Sequence, residues 1–220
     1  VSKLLFIQDV VDTVVCGDAV ENLARLPDKS VDAVITDPPW PETAVDFGID
    51  PEQLSRMWSR ACCEICRVTD RLVVILGCDT DPSFLAPISL PFFRVIWLRR
   101  IPPLYRGSLL YGADVAYLYG HRRLNGVHRV IGGEINSGIR PRGDNPHPCF
   151  RNLNHMRKLV EYLSKPQDFI VDPFCGSGTT LDAAMSLGRR YYGIDDVQEY
   201  VTYSINRLKG IAFSHLLTGR

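Results

Sequence analysis

Two short strings carry residue types suited to chemistry, Asp37-Pro38-Pro39-Trp40 and Asp172-Pro173-Phe174-Cys175-Gly176-Ser177-Gly178-Thr179-Thr180. In the first, Asp37 and the Pro38 carbonyl can both accept hydrogens from an aromatic amine. Such an amine is a poor nucleophile because its lone pair is delocalised into the ring, and two acceptors would steer that pair toward an electrophile. Pro38 and Pro39 have a fixed φ and no amide hydrogen, so they stiffen the turn and leave its carbonyls available. Trp40 can stack on an extruded base, an interaction worth roughly 1–3 kcal/mol. A strand-end turn with a buried tryptophan is the plainer alternative. The string follows the apolar run 31–36, however, and the carboxyl edge of a buried strand is where α/β sheets bind ligands.

The second string also follows an apolar run, Asp168-Phe169-Ile170-Val171. Gly176 and Gly178 permit a tight turn with close ligand approach, and the helix after them points free amides at whatever sits there. A dinucleotide fingerprint would need a third glycine where this chain has Leu181, and a P-loop would need a lysine, yet none lies between Lys165 and Lys209. A ligand without a large phosphate load remains. Asp195 ends the next apolar run, 23 positions after Asp172, about where an acid accepts ribose hydroxyls in a Rossmann-like sheet. Asp196 competes for that role, or caps the helix that follows. A nucleoside without pyrophosphate describes S-adenosylmethionine.

The elements that must position these strings alternate between strands and helices. Strands are expected over 13–16, 31–36, 72–76, 92–98, 114–119, 168–172 and 190–194. Helices are expected over 19–26, 51–68, 153–163, 179–187 and 197–208, with Pro51 at a favoured first-turn position. This alternation predicts a mostly parallel sheet covered on both faces. From 120 to 149 little periodicity survives among Gly, Arg, His and Pro, which marks an irregular recognition insert or a disordered loop.

Composition narrows the class. The 220 residues suit one domain spanning 1–220. No run approaches the roughly 18 apolar residues of a membrane helix. The opening Val1–Ile7 is too short for a secretory signal, with Asp9 and Asp12 close behind. Seven cysteines without regular spacing fit a reducing, cytoplasmic compartment. Cys62, Cys63 and Cys66 lack a second ligand pair for zinc, so no metal is expected. Net charge is zero, but eleven arginines face three acids between Arg94 and Arg157. Preference for arginine over lysine favours phosphate contact, because the planar guanidinium bonds two oxygens at once. Arg99, Arg100, Arg106, Arg122, Arg123, Arg140 and Arg142 are the candidate DNA-contacting residues, within a segment of about 99–150.

Most of the chain resembles the beta group of amino-methyltransferases, in which the catalytic motif precedes the cofactor motif. The likeness is carried by Gly17-Asp18-Ala19, Leu26–Asp32, Thr36–Trp40, Ile96–Pro103, Asn145–Pro148, Asp172–Thr180 and Tyr192-Gly193-Ile194-Asp195. It implies a Rossmann-like α/β methyltransferase fold of about seven strands, circularly rearranged, that moves a methyl group from S-adenosylmethionine to the exocyclic amine of a flipped base in double-stranded DNA. It also implies that Asp18, with Ala19 beside it, contacts the cofactor adenine. Where the family has His-Pro-Thr-Gln-Lys-Pro, this chain has His147-Pro148-Cys149-Phe150-Arg151-Asn152. Arg151, flanked by Asn152, keeps the positive charge expected to meet the cofactor carboxylate. Aspartate rather than serine before Pro-Pro resembles the adenine-N6 subset. Cytosine-N4 methylation, RNA adenine methylation and an inactive partner subunit are the alternatives. The short recognition segment implies relaxed selectivity, and a homodimer could extend it.

Overall fold

The computed structural model describes residues 7–41, 50–106, 108–120, 132–137 and 151–218, and of Leu104, Arg106 and 211–218 the backbone alone. The chain runs α1 (Ile7–Val10), β1 (Thr13–Cys16), α2 (Ala19–Leu23), β2 (Ala33–Thr36), α3 (Pro51–Val68) and β3 (Arg71–Gly77). A short 3₁₀ turn (Pro82–Leu85) leads to β4 (Phe92–Arg106), β5 (Leu109–Gly120) and β6 (Glu134–Asn136). Then come α4 (Leu153–Leu163), β7 (Phe169–Asp172), α5 (Thr179–Ser186), β8 (Arg190–Asp195) and α6 (Gln198–Thr218).

Among the described residues the strands form one eight-stranded sheet in the order β1-β8-β7-β2-β3-β5-β4-β6. Only β5 runs antiparallel to its neighbours β3 and β4; the other pairings are parallel. Strands buried on both faces read as unbroken apolar runs, and the side chains of β3 divide accordingly. Leu72, Val74 and Leu76 join the core under α2 and α3. Val73 and Ile75 join the core under α4 and α5. The α3 helix shows how sequence specifies one such layer. Asp50 caps it by accepting from the amides of Glu52 and Gln53, and Pro51 opens it. Leu54, Trp58, Ala61, Ile65 and Val68 then recur at helical spacing and are buried.

This arrangement sets the position of the site. β2 leads into α3 on one face of the sheet, whereas its neighbour β7 leads into α5 on the other. The chain therefore diverges between β2 and β7, opening a crevice at their carboxyl ends.

The expected elements are present, but α1 was not expected, α2 stops at Leu23 rather than 26, α6 runs on to Thr218, and the sheet differs in its number and length of strands. The sheet has eight strands, because β6 adds a three-residue edge beside β4 within the stretch that lacks periodicity. β4 and β5 extend well past the expected 92–98 and 114–119. Pro102 and Pro103 do not end β4, since they fall in a register shift between Arg99 and Leu104, where the ladder asks nothing of their missing amides. β2 starts at Ala33 rather than Val31, because the Val31 and Asp32 amides bond to Val68 and Phe169 carbonyls outside a regular ladder.

Candidate active site

The crevice holds a cavity of about 440 Å³ whose wall includes both strings, with Asp37, Pro38, Pro39 and Trp40 on one side and residues 172–177, Thr179 and Thr180 on the other. Gly17, Asp18, Ala19, Asp195 and Asp196 close a third side.

The glycine turn is held mainly through its backbone. Cys175 donates to the Ile194 carbonyl, and the Gly176 amide donates to Asp195 Oδ2 at 2.8 Å. Asp195 Oδ1 accepts from the Val197 amide at 3.0 Å, so this one carboxylate ties the turn to the start of α6. Ser204 on α6 donates to the Gly176 carbonyl at 2.8 Å. Gly178 sits at φ +74°, and a Cβ there would stand 2.8 Å from Ser204 Oγ. Gly193 on β8 lets α5 approach, because a Cβ would lie 2.4 Å from Leu181 Cδ1. Asp18 caps α2, accepting from the Glu21 amide at 2.8 Å.

Asp172 is buried beneath the turn and accepts from Thr36 Oγ1 at 2.9 Å and from the Phe174 amide at 3.2 Å. The first bond joins the residue before Asp37 to the first residue of the glycine string. Burial pushes the Asp172 carboxyl up to about 7, with hydrogen bonds from Thr180, Thr36 and Phe174 opposing. Burial likewise raises Asp195 above the ordinary carboxylate range.

Asp37 is held by charge. Arg151 Nη2 donates to its Oδ1 at 2.6 Å and Nε donates to its Oδ2. Arg151 Nη1 donates to Asp114 Oδ2, which Arg100 also approaches through Nη2 and Nε. The guanidinium carbon of Arg151 stands 5.1 Å from the centroid of the Trp40 ring, over its face. Burial pushes the Asp37 carboxyl upward, and the Arg151 charge and hydrogen bonds pull against it.

Asn152 does not line the cavity. Its side chain caps α4 by accepting from the Asn154 and His155 amides. Gly178 lies behind the wall as the N-cap of α5. Arg99 pairs with Glu134 at 2.8 Å, and its carbonyl lies 3.0 Å from His155 Nε2. Burial lowers His155 to about 4, so the ring is neutral at pH 7. Arg100 turns toward Asp114. Arg106 lies on β4 with its backbone alone described, and Arg122, Arg123, Arg140, Arg142 and His147 fall outside the described residues. Sequence reasoning missed Asp114, although an acid opening an apolar run among eleven arginines was a signal. It also missed Gln53, Met57 and Tyr200, which line the cavity from α3 and α6.

The mostly parallel sheet thus carries a glycine-turn cavity at its switch point, with an Asp-Pro-Pro-Trp lip. Residues 114–206 match the family model described as DNA methylase, the N6/N4 methyltransferases. The protein YubD of Escherichia coli (strain K12), which carries a provisional methylase name, is 27% identical over 207 residues, 89% of each chain. Among solved structures, the complex of M1.HpyAVI with S-adenosylmethionine superposes with a TM-score of 0.67 at 23% identity, covering 89% of this chain and 98% of that one. The PvuII DNA methyltransferase, which is cytosine-N4-specific, superposes with a TM-score of 0.66 at 15% identity, covering 87% and 84%. These two share the fold. The likeness is to the N6/N4 DNA methylases, carried by residues 114–206 and by the alignment with YubD.

Proposed function

We propose that this chain transfers a methyl group from S-adenosylmethionine to the exocyclic amine of adenine in double-stranded DNA, acting on a base flipped from the helix. The observation that carries the reading is that Asp37 and the Gly176 turn open into one cavity. The chemistry of the wall suits that cofactor. Among the described residues, Asp18, Asp37, Asp172, Asp195 and Asp196 line it against one guanidinium, Arg151, which favours a ligand carrying sulfonium and ammonium charge over a phosphate-bearing one. Asp195 would hold the ribose, Asp18 and Ala19 would flank the adenine, and Pro173, Phe174, Cys175, Ser177 and Thr179 would complete the wall around Gly176. When bound, the cofactor supplies an electrophilic methyl group.

The chain's own residues prepare the acceptor. Asp37 and the Pro38 carbonyl take the amine hydrogens, turning the lone pair out of the ring plane. The rigid Pro38-Pro39 pair fixes that carbonyl. Trp40 stacks on the extruded base, offsetting part of the few kcal/mol that unstacking costs. Arg151 covers one face of the Trp40 ring. The aspartate of Asp-Pro-Pro favours adenine over cytosine.

The single domain 1–220, a DNA-contacting segment at about 99–150, a cytoplasmic setting and a homodimer that enlarges the DNA surface are parts of the same proposal. Among the described residues no helix is long and apolar enough to cross a membrane. Arginine–phosphate contacts would supply most DNA affinity, so binding should weaken steeply with salt, and Arg122→Ala or Arg123→Ala should weaken all sequences alike. The deciding experiment incubates the purified chain with labelled S-adenosylmethionine and duplex DNA, then digests the product to nucleosides. Label in N6-methyladenine supports the reading, label in N4-methylcytosine moves it to cytosine, and no label in either defeats it.

A further inference from the structure

Segments far apart in sequence bring four charged side chains into one network, of which Asp37 and Arg151 line the cavity. Asp37 follows β2, Arg100 lies on β4, Asp114 on β5, and Arg151 precedes α4. Arg151 directs Nε and Nη2 to the two oxygens of Asp37 and Nη1 to Asp114. The side chains of Arg151, Asp37 and Asp114 are only 10%, 15% and 12% exposed, so water screens them little.

We infer that Arg151 is a positioning residue for the Asp37 carboxylate, itself aimed by Asp114, rather than a ligand for the cofactor carboxylate. The inference rests on the proposed role of Asp37 as acceptor for the target amine. A guanidinium fork fixes the plane of a carboxylate, because two parallel N–H···O bonds leave it no rotation. Each carboxylate oxygen offers two lone-pair sites. The fork takes one site on each and so dictates where the remaining ones point. Those remaining sites are the ones an amine hydrogen must find. Asp114 in turn fixes Arg151, and Arg100 balances the charge of Asp114. A lysine at 151 would keep the charge and has three donors, but it lacks the planar fork that fixes the plane of the Asp37 carboxylate. The arginine in this chain, where the resembling family carries lysine, is therefore matched to the two acids it meets.

The same fork pulls against the burial that raises the Asp37 pKa. Arg151 and Arg100 favour its charged form; Asp114 and, from β7, Asp172 oppose it. The amine needs the ionised form, so activity should fall as pH drops through the Asp37 pKa.

The test compares kcat against pH, and calorimetric affinity for S-adenosylmethionine, in the wild type, Arg151→Ala, Arg151→Lys and Asp114→Asn. Arg151→Ala should lower kcat roughly 10²-fold and move the acid limb up by about one pH unit or more, with cofactor affinity near the wild-type value. Arg151→Lys should hold the limb near its wild-type position while recovering little of kcat. Asp114→Asn removes a like charge from beside Asp37 and should move the limb the opposite way, to lower pH. An unmoved limb in Arg151→Ala, accompanied by a loss of cofactor affinity of about tenfold or more, 1.4 kcal/mol, overturns the inference and returns Arg151 to the cofactor. If Arg151→Ala fails to fold by circular dichroism, the limb positions of the other two variants decide. Carbon-13 NMR titration of the Asp37 carboxyl reads the same shifts without turnover. A wild-type chain that transfers no methyl group therefore defeats the functional reading alone, and the titration still decides whether Arg151 governs Asp37.

Discussion

The two walls of the cavity are built from different materials. On the glycine side, the partners are mainly backbone amides and carbonyls, joined by Asp195 and Ser204, and they come from one stretch between 172 and 204. On the Asp37 side, the partners are charged side chains, and Asp37 and Arg151 are 114 positions apart. A wall made of backbone tolerates many side-chain changes but not the loss of a glycine at positive φ. A wall made of buried charges is sensitive to each charge and to pH, because removing one partner leaves the other uncompensated.

The largest effect that should separate the walls comes from Asp37→Ala. It should lower methyl transfer roughly 10²–10⁴-fold while S-adenosylmethionine affinity, read by calorimetry, stays within the wild-type range. Turnover close to wild type would remove Asp37 from the chemistry. On the opposite wall, Asp195→Ala should cost about 1.5–3 kcal/mol of cofactor affinity, with DNA binding little changed. Unaltered calorimetry there would shift the ribose to Asp196.

Gly178→Ala probes the backbone wall without touching a charge. Its φ of +74° and the 2.8 Å approach of Ser204 Oγ should cost about 1–3 kcal/mol of stability, visible as a lower Tm. An unchanged Tm would show that the turn relaxes around a side chain.

A pH-dependent effect joins the two walls, through Asp172 and its bond from Thr36. Burial raises the folded-state pKa of Asp172 to about 7, from an ordinary value of 3.8. A raised pKa means that the folded chain holds this proton where the unfolded chain has lost it. The stabilisation is therefore full below 3.8 and is lost as pH rises toward about 7. Asp172→Asn keeps an oxygen for Thr36 and should flatten this part of the stability curve, followed by thermal melts from pH 4 to 8. A slope identical to the wild type would assign the pH dependence to other groups.

The sheet was legible because a parallel strand buried on both faces must be apolar throughout. The runs ending at Thr36 and Asp172 could hardly be anything else, and α3 announced itself through Asp50, Pro51 and its buried stripe. The glycine wall was equally legible, since its conformation is a local property of residues close together in the chain. The length of β4 was not. Whether Pro102 and Pro103 end a strand depends on the register of the partner beside them, and no local signal encodes that.

Sequence alone thus determined the alternating fold, the two strings and the kind of ligand the glycine turn would admit, because propensity, periodicity and turn chemistry act over a few residues. Tertiary structure alone decided what Arg151 touches. Its charge pointed to an anion, but the choice among a cofactor carboxylate, Asp37 and Asp114 depends on which segments the sheet order brings together. The β2–β7 divergence and the β3–β5 pairing bring the elements that carry Asp37 and Asp114 within reach of one guanidinium. Long-range charge pairing follows geometry, and that geometry exists only once the sheet has formed.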